Sequence, residues 1–272
     1  MRKIKRGIVV LLIVSLGLSA LTSIRRLAAM QNQPPVLVLE EGEAEVLEVS
    51  TDAAEDELLE GIAASDPEDG DLTDQVFVER IVFLKDDLCD ATCVVFDAQG
   101  NAGSLTRRIR YTDYESPKIG LTEPMVYFVG ETTRIRKSLT AEDCIDGDIT
   151  ENIEFLENTT STKAAGLYSV TVQVTNSLGD SAVLTLPVVE QEASSLAPKI
   201  TLTDALVYLE QGDAFDPLTY LASVTDAGGS ALSADSVTIS SDVDTRTPGT
   251  YTVTYVAGQE ATYTVCLAVV VE

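Results

Sequence analysis

The sequence predicts an all-β body made of tandem sandwich units, placed behind a single amino-terminal membrane-spanning helix. Three observations carry this. An acidic motif occurs twice at one offset, a Pro-led strand opening occurs three times at near-equal spacing, and the end of each unit alternates apolar and polar residues. No segment of the body keeps a 3.6-residue apolar period over 12 positions, so no long amphipathic helix competes with the β reading.

The amino terminus comes first. Met1-Arg2-Lys3-Ile4-Lys5-Arg6 is basic, and residues 7–24 follow as 18 residues without a charge. As a helix that run spans roughly 27 Å, close to the thickness of a bilayer core. Four Lys or Arg precede it and Arg25 and Arg26 follow, a bias that keeps the amino terminus inside and exports the rest. Residues 1–30 therefore read as an uncleaved signal-anchor. The alternative is a cleaved signal peptide and a secreted body, with Gly17 and Ser19 as loose matches to the small residues before a cut.

Behind a polar linker ending in Pro34 and Pro35, Val36-Leu37-Val38-Leu39 opens the first strand. The same opening recurs as Pro117-Lys118-Ile119-Gly120-Leu121 and as Pro198-Lys199-Ile200-Thr201-Leu202, 82 and then 81 residues on. The acidic motif Asp66-Pro67-Glu68-Asp69-Gly70-Asp71-Leu72-Thr73 returns as Asp143-Cys144-Ile145-Asp146-Gly147-Asp148-Ile149-Thr150, at an offset of 77. An offset held this long marks an internal repeat. Residues 55–61 interrupt the pattern as a single helical turn or a loop.

The unit closings agree with the openings. Tyr168, Val170, Val172 and Val174 alternate with polar residues and face inward on one strand. Gly249 and Tyr251 match Gly166 and Tyr168, whereas the first unit has Cys89 in the Tyr place, followed inward by Ala91, Cys93 and Val95. Gly-containing turns lead into last strands at residues 105–111, 182–189 and 262–271. The predicted division is 1–30 signal-anchor, 31–115 first domain, 116–196 second domain and 197–272 third domain. Short Pro-ended linkers favour an extended, partly stiff rod.

A unit of about 80 residues is near the size of an immunoglobulin-like sandwich. The acidic Asp-Gly-Asp-Leu/Ile-Thr loop, the Gly-x-Tyr-x-Val strand and the Pro-x-Ile-x-Leu opening recur in one order over residues 34–272. In this the chain resembles the bacterial surface immunoglobulin-like repeats, a group that includes the Ig-like domain of certain pesticidal crystal proteins and the hyalin-type repeats. The resemblance implies three tandem Ig-like β-sandwich domains of seven strands, in an exported spacer or adhesive module without enzyme activity. Two departures stand out. The first unit lacks Gly-x-Tyr, and the third has Asp226-Ala227-Gly228-Gly229 in place of the acidic loop.

Composition narrows the chemistry. The chain has 272 residues and a net charge of −26, with no His and no Trp. Residues 1–30 hold six of the 18 Lys and Arg and none of the 44 Asp and Glu, leaving the body at −32. Such a body repels nucleic acid and anionic lipid and attracts cations. Without His, Ser-His-Asp and Cys-His catalysis and His-ligated zinc sites are excluded. A carboxylate pair could still hydrolyse a glycoside, but no unit has an insertion large enough to build a cleft.

The acidic loops are the candidate site. Asp66, Glu68, Asp69 and Asp71, and likewise Asp143, Asp146 and Asp148, place three or four carboxylates within six residues. One reading is a tight turn, in which Gly supplies positive φ and Asp side chains bond nearby N–H groups. The other is weak Ca²⁺ binding, since Ca²⁺ takes six to eight oxygen ligands. The spacing is not that of an EF-hand.

Cys89 and Cys93 share one strand face about 13 Å apart, too far for a disulfide in an extended segment, and small buried thiols are the reading for the cysteines; the alternative, which export permits, is a Cys89–Cys93 bridge across a tight bend at Asp90-Ala91-Thr92. Arg134, Arg136 and Lys137 form the one basic cluster of the body. They either pair with neighbouring acidic loops or dock an acidic cell-wall polymer.

The function expected is a non-catalytic, membrane-anchored surface protein whose Ig-like domains serve as stalk or adhesion module. The alternative is a Ca²⁺-dependent carbohydrate- or protein-binding module, with Tyr111, Tyr114, Tyr251 and Tyr255 as its aromatic candidates. Expected partners are the membrane through residues 7–24 and a cell-wall polysaccharide or surface protein, with no nucleic acid.

Overall fold

The computed structural model describes residue 19 and residues 33–272 except 43 and 86. The signal-anchor predicted at residues 7–24 lies outside the described residues, save Ser19. Among the described residues no helix is long and apolar enough to cross a membrane.

The same pair of sheets is built three times. The first repeat contains β1 (Val36–Leu39), β2 (Val46–Val49), the single-turn helix α1 (Glu55–Leu58), β3 (Ile62–Asp66), β4 (Gly70–Asp71), β5 (Phe77–Lys85), β6 (Leu88–Phe96) and β7 (Ala102–Tyr111). A short sheet has the order β1-β3-β4 and a long sheet the order β2-β7-β6-β5. The long sheet is antiparallel except that β2 runs parallel to β7. The chain therefore leaves the short sheet after β1, lines the outer edge of the long sheet with β2, and returns through α1.

The second repeat follows the same plan. It contains β8 (Lys118–Leu121), β9 (Val126–Phe128), the single-turn helix α2 (Ile135–Ser138), β10 (Leu139–Asp143), β11 (Gly147–Asp148), β12 (Glu154–Asn158), β13 (Gly166–Thr175) and β14 (Ser181–Gln191). The sheet orders are β11-β10-β8 and β12-β13-β14-β9, with β9 parallel to β14. The third has β15 (Lys199–Leu202), β16 (Leu206–Leu209), β17 (Leu221–Thr225), β18 (Val237–Ser241), β19 (Gly249–Ala257) and β20 (Tyr263–Val271). Its long sheet is β16-β20-β19-β18, but its short sheet is only β15-β17. Where the acidic Gly-Asp strand stands in the other repeats, the third has a single bridge between Thr225 and Ala231. The motif lost from the sequence is thus lost as a strand.

The period-two reading holds in the structure. Cys89, Ala91, Cys93 and Val95 are fully buried, as are Val170, Val172 and Val174, and Val253, Tyr255 and Ala257 continue the pattern on β19. Each fully buried valine contributes about 1.5–3 kcal/mol of apolar burial. The Gly-x-Tyr signature also has a cause. The Tyr168 hydroxyl donates to the Ala164 carbonyl at 3.0 Å and the Tyr251 hydroxyl to the Thr247 carbonyl at 2.8 Å. Each ring lies against the glycine two residues earlier, and a Cβ on Gly166 would stand 3.3 Å from the Tyr168 ring.

Contacts divide the chain into two compact units, one ending at Asp113 and the other covering Tyr114–Glu272. The second and third repeats therefore share one unit. Ala268 and Val270 of β20 are buried in the same cluster as Val170, Leu186 and Val188, with Leu206 and Tyr208 packed against it. The Tyr208 hydroxyl donates to the Ile119 carbonyl at 2.8 Å and accepts from the Ile119 N–H at 3.1 Å. Gln191 Oε1 accepts from the Thr264 N–H at 2.9 Å. The second and third repeats thus pack against each other through a common apolar cluster. Their last strands carry apolar side chains on both faces, so each long sheet needs a second cover.

Candidate functional site

Both acidic loops fold identically, and their carboxylates are turned onto backbone donors. Asp66 Oδ1 accepts from the Glu68 and Asp69 N–H groups at 2.7 and 2.9 Å. Asp143 Oδ1 accepts from those of Ile145 and Asp146, both at 2.9 Å. Gly70 and Gly147 then reverse the chain at φ 79° and 70°, a conformation that glycine adopts without cost. Asp71 Oδ1 accepts from the Thr73 N–H at 3.0 Å, and Asp148 Oδ1 from the Thr150 N–H at 3.0 Å. These bonds hold both acids below the usual carboxylate range: at Asp71 the Thr73 backbone bond leads, at Asp148 the Thr150 side chain. Thr73 and Thr150 close each loop by accepting from the Ala64 and Ala141 N–H groups at 3.0 Å.

The remaining acids reach across to the hairpin turn between the two longest strands. Asp69 Oδ2 accepts from the Ala98 N–H at 2.7 Å, and Glu68 Oε2 from Gln99 Nε2 at 3.3 Å. In the second repeat Asp146 accepts from the N–H and the hydroxyl of Ser177, both at 2.6 Å. The loops are thereby stapled to the long sheet. Among the described residues no three acidic, Cys or His side chains stand together as a metal cluster.

Behind the second loop lies a polar network. Asn176 Nδ2 donates to Asp143 Oδ2 at 3.0 Å and to the Tyr114 hydroxyl at 2.9 Å, and that hydroxyl donates to Asp180 Oδ2 at 2.8 Å. Burial first, and then the bond to Asp180, pushes the Tyr114 phenol well up. The first loop lacks the matching donor, and Asp66 Oδ2 is buried without a partner among the described residues.

Two of the expected ligand-facing aromatics, Tyr111 and Tyr255, are corrected by the packing. Tyr111 is 6% exposed and Tyr255 fully buried, with its hydroxyl on the Pro217 carbonyl at 2.7 Å. Tyr251 covers a glycine and Tyr114 is tied into the network above. Tyr111 and Tyr255 stand at inward strand positions, which consumes the ring face. The thiol reading is corrected at one position. Cys89, Cys93 and Cys266 are buried, but Cys144 is exposed, its Sγ donating to the Glu115 carbonyl at 3.1 Å.

Pairing of the basic cluster with acidic loops is also corrected. Arg134, Arg136 and Lys137 make no ion pair among the described residues. Arg136 instead lies over the Phe155 ring, 5.0 Å from its centroid, and donates from Nη2 to the Ile153 carbonyl at 2.9 Å. One unusual residue escaped the sequence reading. Glu190 is 1% exposed, and neither carboxylate oxygen has a partner among the described residues. Burial pushes its acid up. Its mark in the sequence is a Glu directly after the apolar run Leu186-Pro187-Val188-Val189 of the last strand.

The described body is thus a set of paired sheets, antiparallel but for one parallel edge strand in each long sheet, with side chains that staple loops. The model of the family described as "Bacterial surface protein, Ig-like domain" matches residues 200–266, and the Ig-like surface resemblance holds there. The pesticidal crystal protein Cry22Aa of Bacillus thuringiensis is 35% identical over 121 residues, 43% of this chain and 16% of that protein. The chain thus spans a small part of that relative's length. Among solved structures, the lipoprotein BT2262 of Bacteroides thetaiotaomicron is 16% identical over 56% of this chain and 98% of that one, at a TM-score of 0.24. CBM51-2 with the INT domains of Clostridium perfringens ZmpB, in complex with GlcNAc, is 17% identical over 55% of this chain and 26% of that one, at 0.22. Scores this low carry no argument.

Proposed function

We propose that the chain is a non-catalytic bacterial surface protein, anchored through residues 7–24, whose three Ig-like domains act as a stalk or adhesion module. The observation that carries this is the match of residues 200–266 to the bacterial surface Ig-like family, together with two further copies of the same sheet pair. The acidic loops serve as turns. In each loop aspartate Oδ1 atoms accept from the loop's own backbone N–H groups, which supports the turn reading.

The test is exposure on intact cells. The full chain, tagged at its carboxyl end, is expressed in a bacterial host and the cells are treated with protease. The expected result is loss of the tag from intact cells, with the untreated chain remaining in the membrane fraction after an alkaline wash. A protected tag would overturn surface display, and release by the wash would overturn the anchor.

A further inference from the structure

Arg134, Arg136 and Lys137 sit in a chain of net charge −26 and find no acidic partner among the described residues. They line a groove of about 500 Å³ together with Thr133, Phe155 and Asn158. The groove lies between α2 and the edge strand β12. Phe155 stays 37% exposed although Arg136 covers one side of its ring. The bond from Arg136 to the Ile153 carbonyl holds the guanidinium in place. A cation already fixed loses little side-chain freedom on meeting an anion.

We propose that this groove binds an oligosaccharide carrying an isolated carboxylate. The proposal rests on the surface-module reading and names its partner. Two arguments set the ligand class. First, a planar guanidinium flanked by two more cations suits a carboxylate, which takes two parallel N–H bonds. Second, the charge around the groove forbids a dense polyanion. Glu154 and Glu157 lie on the same edge strand, and the whole chain repels closely spaced negative charge. The remaining lining fits a sugar, since Phe155 and Ile135 offer apolar surface for ring C–H groups and the Thr133 hydroxyl and Asn158 Nδ2 offer polar atoms for hydroxyls, Asn158 Oδ1 being held by Thr160.

The experiment is calorimetric titration of the full chain, in neutral detergent, with cellobiouronic acid, cellobiose and inorganic phosphate. The expected result is binding of cellobiouronic acid, weakened by salt, with cellobiose at least about tenfold weaker, as loss of one charge-assisted bond implies, and phosphate weaker for want of a ring to lie on Phe155. In the double variant Arg134→Gln/Lys137→Gln that binding is lost while Tm is unchanged, because neither side chain holds the fold together.

Four results would overturn the proposal: no heat with cellobiouronic acid, equal binding of cellobiose, equal binding of phosphate, or undiminished binding by the double variant. Sedimentation in the same buffer adds a fifth. A dimer that the double variant dissolves, without saccharide binding, would make the groove a contact between copies. Surface display on cells is read separately, so failure of either reading is visible without the other.

Discussion

Asn176 donates to Asp143 Oδ2 at 3.0 Å, and the first repeat puts Asp97 in the place of Asn176. The correspondence is geometric. Asn176 Oδ1 accepts from the Leu178 and Asp180 N–H groups, and Asp97 Oδ1 from those of Gln99 and Asn101. The second repeat thus sets a donor behind its acidic loop and the first sets another acceptor. Asp66 Oδ2 is the atom left over. Replacing Asn176 by Asp should destabilise the chain by about 1–3 kcal/mol at neutral pH, the cost of an unpaired buried acceptor. Thermal melts of wild type and variant decide it, and an unchanged Tm would refute the pairing.

Glu190 stands where the other repeats have Tyr111 and Val271. Each follows by two the residue paired with the Tyr168, Cys89 or Tyr251 position. Burial raises the Glu190 acid, so the fold prefers its neutral form. The stability it allows is full at pH below the unfolded value and is lost as pH rises through the folded one. Glu190→Val should therefore stabilise by about 1–3 kcal/mol at pH 8 and by little at pH 4. Melts of wild type and variant at the two pH values measure the difference, and equal gains at both would remove the titration argument.

The acidic loops carry the opposite sign. Asp71 and Asp148 are held low by their threonine bonds, so their contribution is present above the unfolded carboxylate value and is lost as pH falls through the folded one. As turns rather than metal sites, the loops predict that melts of the full chain in EDTA and in millimolar Ca²⁺ superimpose. A rise of several degrees with Ca²⁺, abolished by Asp71→Asn/Asp148→Asn, would turn both loops into metal sites.

Thiol reactivity tests the packing directly. Cys144 is exposed, whereas Cys89, Cys93 and Cys266 are buried, and burial pushes the Cys93 and Cys266 thiols up. A maleimide should label one thiol quickly in the native chain and all four after unfolding, and Cys144→Ser should abolish the fast phase. Rapid labelling of two or more thiols would show that the β6 or β20 core is open.

Tyr208 joins the second and third repeats through both backbone groups of Ile119. Residues 114–272 should then melt in one transition, and Tyr208→Phe should lower it by about 0.5–1.5 kcal/mol without splitting it. Scanning calorimetry reads this, and separate transitions for the two repeats would show that the shared core does not couple them.

Much of this protein is determined locally. Side-chain direction alternates along any strand, so the inward rows at Cys89–Ala91–Cys93 and Val170–Val172–Val174 follow from order alone. A glycine before a tyrosine and an Asp-Gly-Asp turn are likewise settled within a few residues, which is why the repeats and the loop positions were legible in the sequence. What the long sheets pack against is not local. Burial of Ala268 and Val270 beside Val188, the seat of Arg136 on Phe155, and the isolation of Glu190 each join residues far apart in the chain. The same holds for the tyrosines, whose ring faces the sequence leaves open and the core then takes. Only closure of the sheets decides which polar group meets a partner, because a buried carboxylate is paired or orphaned by what arrives across the sandwich and not by its neighbours along the strand.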